Sequence, residues 1–258
     1  MLKSITDLKG YTLGASDGDI GEVTECYFDD DKWTVRYLIV DTGGWLTGRK
    51  VLISPIALRE VDWNAKRIHA ELTKKEVEDS PDIVTDKPVS RQHETSYYDY
   101  YNYPYYWGGP YLWGATAYPM IPSPRARARN PTEPEILAAR EAQASGDDSH
   151  LRSTKEVTGY YIEASDGDIG HVEDFLIEDE SWTIRYIVVD TRNWWPGKKV
   201  LVSPQWIEQV SWTDSRVRVD VSRNTIKNCP EYDPSAPLSR DYENRLYRHY
   251  GRSKYWND

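Results

Sequence analysis

Phenylalanine, methionine and cysteine are nearly missing from this chain of 258 residues, with two of each. The two cysteines, Cys26 and Cys229, stand at unrelated places in the internal repeat described below, where they align with Phe175 and Ser80. That mismatch argues against a shared disulfide or metal site and points to a reducing compartment. No apolar run approaches the ~20 residues of a membrane span, and Met1-Leu2-Lys3-Ser4 leads into no apolar signal core. The expectation is a cytoplasmic protein whose contact with a membrane, if any, is peripheral. A basic excess is also missing: the net charge is −10, which opposes direct binding of nucleic acid. There is no glycine-rich phosphate loop, no nucleophile elbow and no His-Glu-x-x-His. Those absences predict a protein that is not an enzyme and holds no cofactor.

What is present is written twice. Ala15-Ser16-Asp17-Gly18-Asp19-Ile20-Gly21 recurs as Ala164-Ser165-Asp166-Gly167-Asp168-Ile169-Gly170, 149 positions on. The same offset aligns Trp33-Thr34-Val35-Arg36-Tyr37 with Trp182-Thr183-Ile184-Arg185-Tyr186. It also aligns Lys50-Val51-Leu52-Ile53-Ser54-Pro55 with Lys199-Val200-Leu201-Val202-Ser203-Pro204. The alignment runs without a gap from Leu2/Leu151 to Pro81/Pro230, and Trp107 meets Trp256. A tandem duplication therefore organises the chain.

Within each copy the pattern is that of short strands. In the first, strands are expected over 10–14, 20–28, 33–40, 50–53, 58–63 and 67–72. The apolar positions Ile20, Val23, Cys26 and Phe28 change parity, which predicts a bulge. From Trp33 to Val40 both faces become apolar, which places that strand inside a sheet. Ser4 and Ser153 have capping-box spacing for a first helical turn, and Thr73 caps a second short helix. Six short strands per copy predict an all-β protein of two small barrels, since closure removes the edges of so small a sheet. The expected domains are a first barrel at 1–90, a linker at 91–149, a second barrel at 150–238 and a tail at 239–258. The linker reading rests on the Tyr/Pro/Gly-rich run from Tyr97 to Pro110, which continues without amphipathic period to Pro124; a helix is expected over 132–144. This run can serve as a tether, dock on the barrels or a protein partner, or lie at a membrane interface.

Ser-Asp-Gly-Asp-Ile-Gly, followed by Trp-Thr-Val-Arg-Tyr-Leu-Ile-Val-Asp-Thr-Gly and then Val-Leu-Ile-Ser-Pro, resembles the PRC-barrel family, named for the cytoplasmic barrel of the photosynthetic reaction centre H subunit. The resemblance covers 2–81 and 151–230. It implies a barrel of about six strands per copy, used as an adaptor surface, and no enzyme. The chain lacks the H subunit's membrane helix and carries two barrels, as do soluble paired-barrel bacterial proteins. The reading is thus a cytoplasmic, non-catalytic protein-binding module whose partner is unidentified, with the two barrels pairing within one chain or between copies. The alternatives implied are a peripheral component of a photosynthetic or electron-transport assembly and, by a related barrel, a ribosome-maturation factor.

Few residues invite a site. Asp17, Asp19 and Glu22 cluster as a hard cation would require, but Glu22 becomes His171 in the second copy and no calcium-loop spacing is present. A polar hairpin is the better reading, and no metal is expected. The histidines at 69, 93, 150, 171 and 249 do not repeat, and read as solvated side chains. Arg36 and Arg185 do repeat; they can pair with Asp41 and Asp190, pack along aromatics, or meet an acidic partner. Trp45-Leu46 and Trp194-Trp195 follow the central strand in both copies and read either as a lid on the barrel or as an aromatic anchor for a partner.

Overall fold

Alternation and hairpin turns build the same sheet twice. The computed structural model describes residues 1–81, 89–120, 137, 150–191 and 198–256; Trp194, Trp195 and all but one residue of the helix expected at 132–144 lie outside them. After β1 (Leu2–Ser4) and a helical turn α1 (Ile5–Leu8), the first repeat forms β2 (Thr12–Ala15), β3 (Gly18–Asp29), β4 (Thr34–Asp41), β5 (Lys50–Ile53), β6 (Leu58–Asp62) and β7 (Arg67–Ala70). Helices α2 (Lys74–Glu78) and α3 (Arg91–Tyr101) follow. The second repeat gives β8 (Leu151–Ser153), α4 (Thr154–Val157), β9 (Tyr161–Ala164), β10 (Gly167–Glu178), β11 (Ile184–Asp190), β12 (Lys199–Val202), β13 (Ile207–Ser211), β14 (Arg216–Val219), α5 (Arg223–Asn228) and α6 (Arg240–Tyr250).

The first path runs β5-β4-β3-β2-β7-β6 and the second β12-β11-β10-β9-β14-β13, each becoming a 7-stranded sheet with one added strand. The parity change in β3 is a pair of register shifts against β4, between Val23 and Glu25 and between Tyr27 and Phe28. β4 is buried on both faces from Thr34 to Val40, as its double apolar pattern requires. Trp33 does not join it. Trp33 and Trp182 take left-handed backbone angles (φ 50° and 62°) at the hairpin tips, and Trp33 stacks on Phe28 at 5.1 Å. In β7, Ile68 and Ala70 point inward around exposed His69. Thr73 and Glu76 complete a reciprocal capping box on α2.

Gly21 and Gly170 are required by close approach. A Cβ there would sit 2.0 Å from the Asp41 carbonyl oxygen and 2.1 Å from that of Asp190.

The compact units do not follow the repeat boundary. One comprises Thr6–Lys155 and Asp179–Thr183; the other comprises Met1–Ile5, Glu156–Glu178 and Ile184–Asp258. Two corrections follow. Strand β1 adds to β10, and β8 adds to β3, so each first strand completes the sheet of the other repeat. The Ser4 hydroxyl donates to Asp174 across that pairing. Secondly, the stretch expected as a linker from residue 91 onward begins as helix α3, and the expected tail from 239 is its counterpart α6. Tyr97, Tyr98, Tyr101, Tyr103, Tyr106 and Trp113 are buried. Their rings carry more apolar area than a solvated tether would expose, which is why the segment packs.

Candidate functional site

One end of the first barrel gathers several of the conserved-looking letters of the repeat. Asp17 accepts a hydrogen bond from the Lys74 backbone N–H at 2.8 Å, so the Ser-Asp-Gly-Asp turn holds the start of α2. Asp19 pairs with Arg67, and that hydrogen bond holds its carboxyl below the ordinary range. In the second repeat Asp166 accepts from the Arg223 N–H at 2.6 Å and Asp168 from Arg216 at 3.0 Å. These carboxylates thus serve as loop anchors in both copies, and among the described residues no group of three His, Cys, Asp or Glu is placed to hold a metal ion.

Beside this turn, the loop after β4 winds into a single 3-10 turn, Gly43–Leu46. Gly43 (φ 58°), Thr47 (φ 53°) and Gly48 (φ 72°) reverse the chain, and the Gly48 N–H donates to the Gly43 carbonyl at 2.7 Å. Arg49 ties down its exit, donating to the Ser80 carbonyl at 2.8 Å. Trp45 and Leu46 are half-buried. The Trp45 indole N–H donates to the Ile20 carbonyl, and the Lys74 ammonium lies 4.2 Å from the ring centroid. The side chain is therefore neither a sealed lid nor a free one. It is an oriented ring, fixed at its polar edge, with apolar surface left in water.

The repeated arginines behave differently from this loop, and differently from each other. Arg36 is fully buried: its Nε donates to Asp29 at 2.6 Å and Nη1 to the Leu112 carbonyl at 2.6 Å. The Tyr106 and Trp113 rings lie 3.8 and 4.7 Å from its guanidinium carbon. Arg36 thus has no surface to offer a partner, and pairs with Asp29 rather than Asp41. Arg185 is half-buried and donates to Glu178, at 2.6 Å, not to Asp190; Tyr255 stacks on it at 4.3 Å. Asp29 and Glu178 are equivalent positions, so the same pairing is built twice. The histidines are exposed or half-buried, and three are engaged: His249 Nε2 lies 2.8 Å from the Thr225 carbonyl, His93 Nδ1 3.1 Å from the Ser90 hydroxyl and His150 Nδ1 3.6 Å from Asp30.

Sequence reasoning missed a polar core shared by both repeats. Glu94, on α3, accepts from the Tyr37 hydroxyl at 3.1 Å, the Tyr106 hydroxyl at 2.8 Å and Arg91 at 2.8 Å. Glu243, on α6, accepts from Tyr186 at 2.8 Å and Tyr255 at 3.0 Å, and pairs with Arg240 at 3.0 Å. The signal was legible in Ser90-Arg91-x-x-Glu94 and Ser239-Arg240-x-x-Glu243, which share the repeat offset. In each, the serine hydroxyl caps the helix and the glutamate follows inward. A buried carboxylate with three donors is a satisfied one, which suits an anchor for the helix rather than a reactive acid.

Burial nevertheless pushes the Glu94 carboxyl above the ordinary carboxylate range, against the opposing pull of Arg91 and the two hydroxyls. A carboxylate raised on folding binds more protons folded than unfolded. Its contribution is fully present below the unfolded value and is lost as pH rises through the folded one. Glu94→Gln cannot titrate, so the stability of the natural chain relative to the variant is expected to fall with rising pH across that window. Urea unfolding of both proteins from the acid side of the carboxylate range to neutrality checks this. A relative stability that rises instead would contradict it.

Compared with known families, residues 2–77 match the PRC-barrel domain. Among curated proteins, none matches the chain.

Proposed function

We propose, with a PRC-barrel domain at residues 2–77 as the premise, that this chain is a non-catalytic protein-binding adaptor whose contact point is the Trp45 corner of the first barrel. The observation that carries the reading is the half-exposed indole held in place by its N–H bond to Ile20 and by Lys74. A ring ordered before binding loses little entropy when a partner covers it, and tryptophan is enriched among residues that dominate interfaces. Leu46, next in the chain and also half-buried, extends the apolar area. The Asp17 and Asp19 anchors fix the loop's surroundings without using the ring. No described helix is long and apolar enough to cross a membrane.

The test removes the ring from both copies. Trp45→Ala with Trp194→Ala is expected to keep the barrel fold, losing about 1–2 kcal/mol for the indole hydrogen bond and its half-buried area. Proteins crosslinked to the natural chain in its own host, identified by mass spectrometry, should be lost from the variant. A loss of several kcal/mol would return Trp45 to the lid role, and unchanged partner recovery would remove it from the interface.

A further inference from the structure

The strand that finishes each sheet is borrowed. Leu2, Lys3 and Ser4 face Glu178, Ile177 and Leu176; Leu151, Arg152 and Ser153 face Asp29, Phe28 and Tyr27. Moved by the repeat offset, these are the same three antiparallel pairs in the same register. The side-chain hooks repeat as well. The Ser4 hydroxyl donates to Asp174 and the Ser153 hydroxyl to Glu25, at equivalent positions. Both strands read Leu-(Lys or Arg)-Ser. Because a sheet edge is recognised mainly through backbone bonds, each seat accepts this strand whichever repeat supplies it.

The exchanged strands are also easily parted from the rest. Each has three residues and lies off the six-strand path of its sheet, so it leaves without opening that path. Its departure uncovers backbone donors and acceptors that another strand must satisfy.

We propose that these seats are strand-acceptor sites for a second copy of this chain: Leu2–Ser4 of each copy pairs with Leu176–Glu178 of the other, giving a closed strand-exchanged dimer. The occupant is already defined by the fold, because the strand that fits the seat is this chain's own. The dimer makes the same contacts as the single chain, so the balance depends on protein concentration against the effective concentration of the tethered strand. Reciprocal exchange leaves no seat unfilled, and assembly stops at two copies. This does not rest on the Trp45 reading.

The test uses full-length chains. One copy carries Leu2→Cys and the other Glu178→Cys; they are mixed at high concentration, incubated, then oxidised. A mixed disulfide dimer is expected several-fold above that formed by Leu2→Cys with Asp214→Cys, an exposed turn position off the seat. Equal yields in the two mixtures overturn the proposal. Glu178 also pairs with Arg185, so a second measurement leaves that pair intact. Sedimentation of the unmodified chain should show a concentration-dependent dimer that Lys3→Pro abolishes, since proline disrupts strand pairing. A chain monomeric at every concentration, or a dimer indifferent to Lys3→Pro, overturns it equally.

Discussion

Arg36→Met is expected to destabilise the first-repeat barrel by about 3–5 kcal/mol, the cost of stranding a buried charge. Arg185→Met, the same change in the second repeat, is expected to cost about 1 kcal/mol or less. The difference lies in the water around the two pairs. The Arg36 and Asp29 side chains are 0% and 3% exposed, against 20% and 25% for Arg185 and Glu178. Methionine keeps most of the volume between Tyr106 and Trp113, so the loss falls on Asp29, left without its guanidinium. Replacing Asp29 as well should therefore restore stability: Arg36→Met with Asp29→Asn is expected to recover most of the loss. The asparagine oxygen can still accept from the Lys32 N–H, which reaches Asp29 at 2.6 Å. Urea unfolding of the four proteins settles it. Equal costs for Arg36→Met and Arg185→Met would mean that Arg36 is solvated. A double variant no better than Arg36→Met would assign the loss to packing alone.

Tyr97→Ala should cost about 3–5 kcal/mol, the range for truncating a large core aromatic. Its ring sits against Tyr37 at 5.2 Å and Tyr101 at 4.8 Å, and its hydroxyl accepts from the Ser54 N–H at 3.0 Å. Truncation leaves both a cavity and an unanswered buried donor. Tyr100, three residues along on the outer face and 36% exposed, donates its hydroxyl to the Glu76 carbonyl at 2.9 Å and meets the Tyr101 ring edge-on at 4.7 Å. Tyr100→Ala should cost no more than about 1 kcal/mol. The contrast tests whether the tyrosine-rich run belongs to the core. Two small and equal losses would make it a tether after all.

How much of this was legible can be traced through particular residues. The strand β5 was read at its observed bounds, because Ser54-Pro55 ends it chemically. The β3 bulge was read from the parity of Ile20, Val23, Cys26 and Phe28. The cap at Thr73 was read as a threonine at the head of a short helix, and its reciprocal bond with Glu76 came only with the structure. Each is a local rule acting over a few residues. The tyrosine run defeated the same approach: no amphipathic period marks it, so composition left tether, docked segment and membrane interface side by side, while burial was set by the barrel beneath. Arg36 was undecidable for a related reason. Its neighbours Leu112, Tyr106 and Trp113 lie some seventy residues away in the chain, where no spacing rule reaches.

By itself, the sequence determined the duplication, the strand succession and the turns that need glycine. These follow from side-chain period and backbone sterics, which act between near neighbours. Only the tertiary structure decided which strand completes which sheet. Leu2–Ser4 and Leu151–Ser153 carry nearly the same letters and meet equivalent registers, so local preference cannot distinguish own seat from other. It likewise decided that Arg36 is buried while Arg185 is half in water, because burial depends on what the remote chain lays over a residue. The physical reason is one: a strand edge and a buried charge are satisfied by whatever partners the fold lays beside them, and no local spacing rule names those partners.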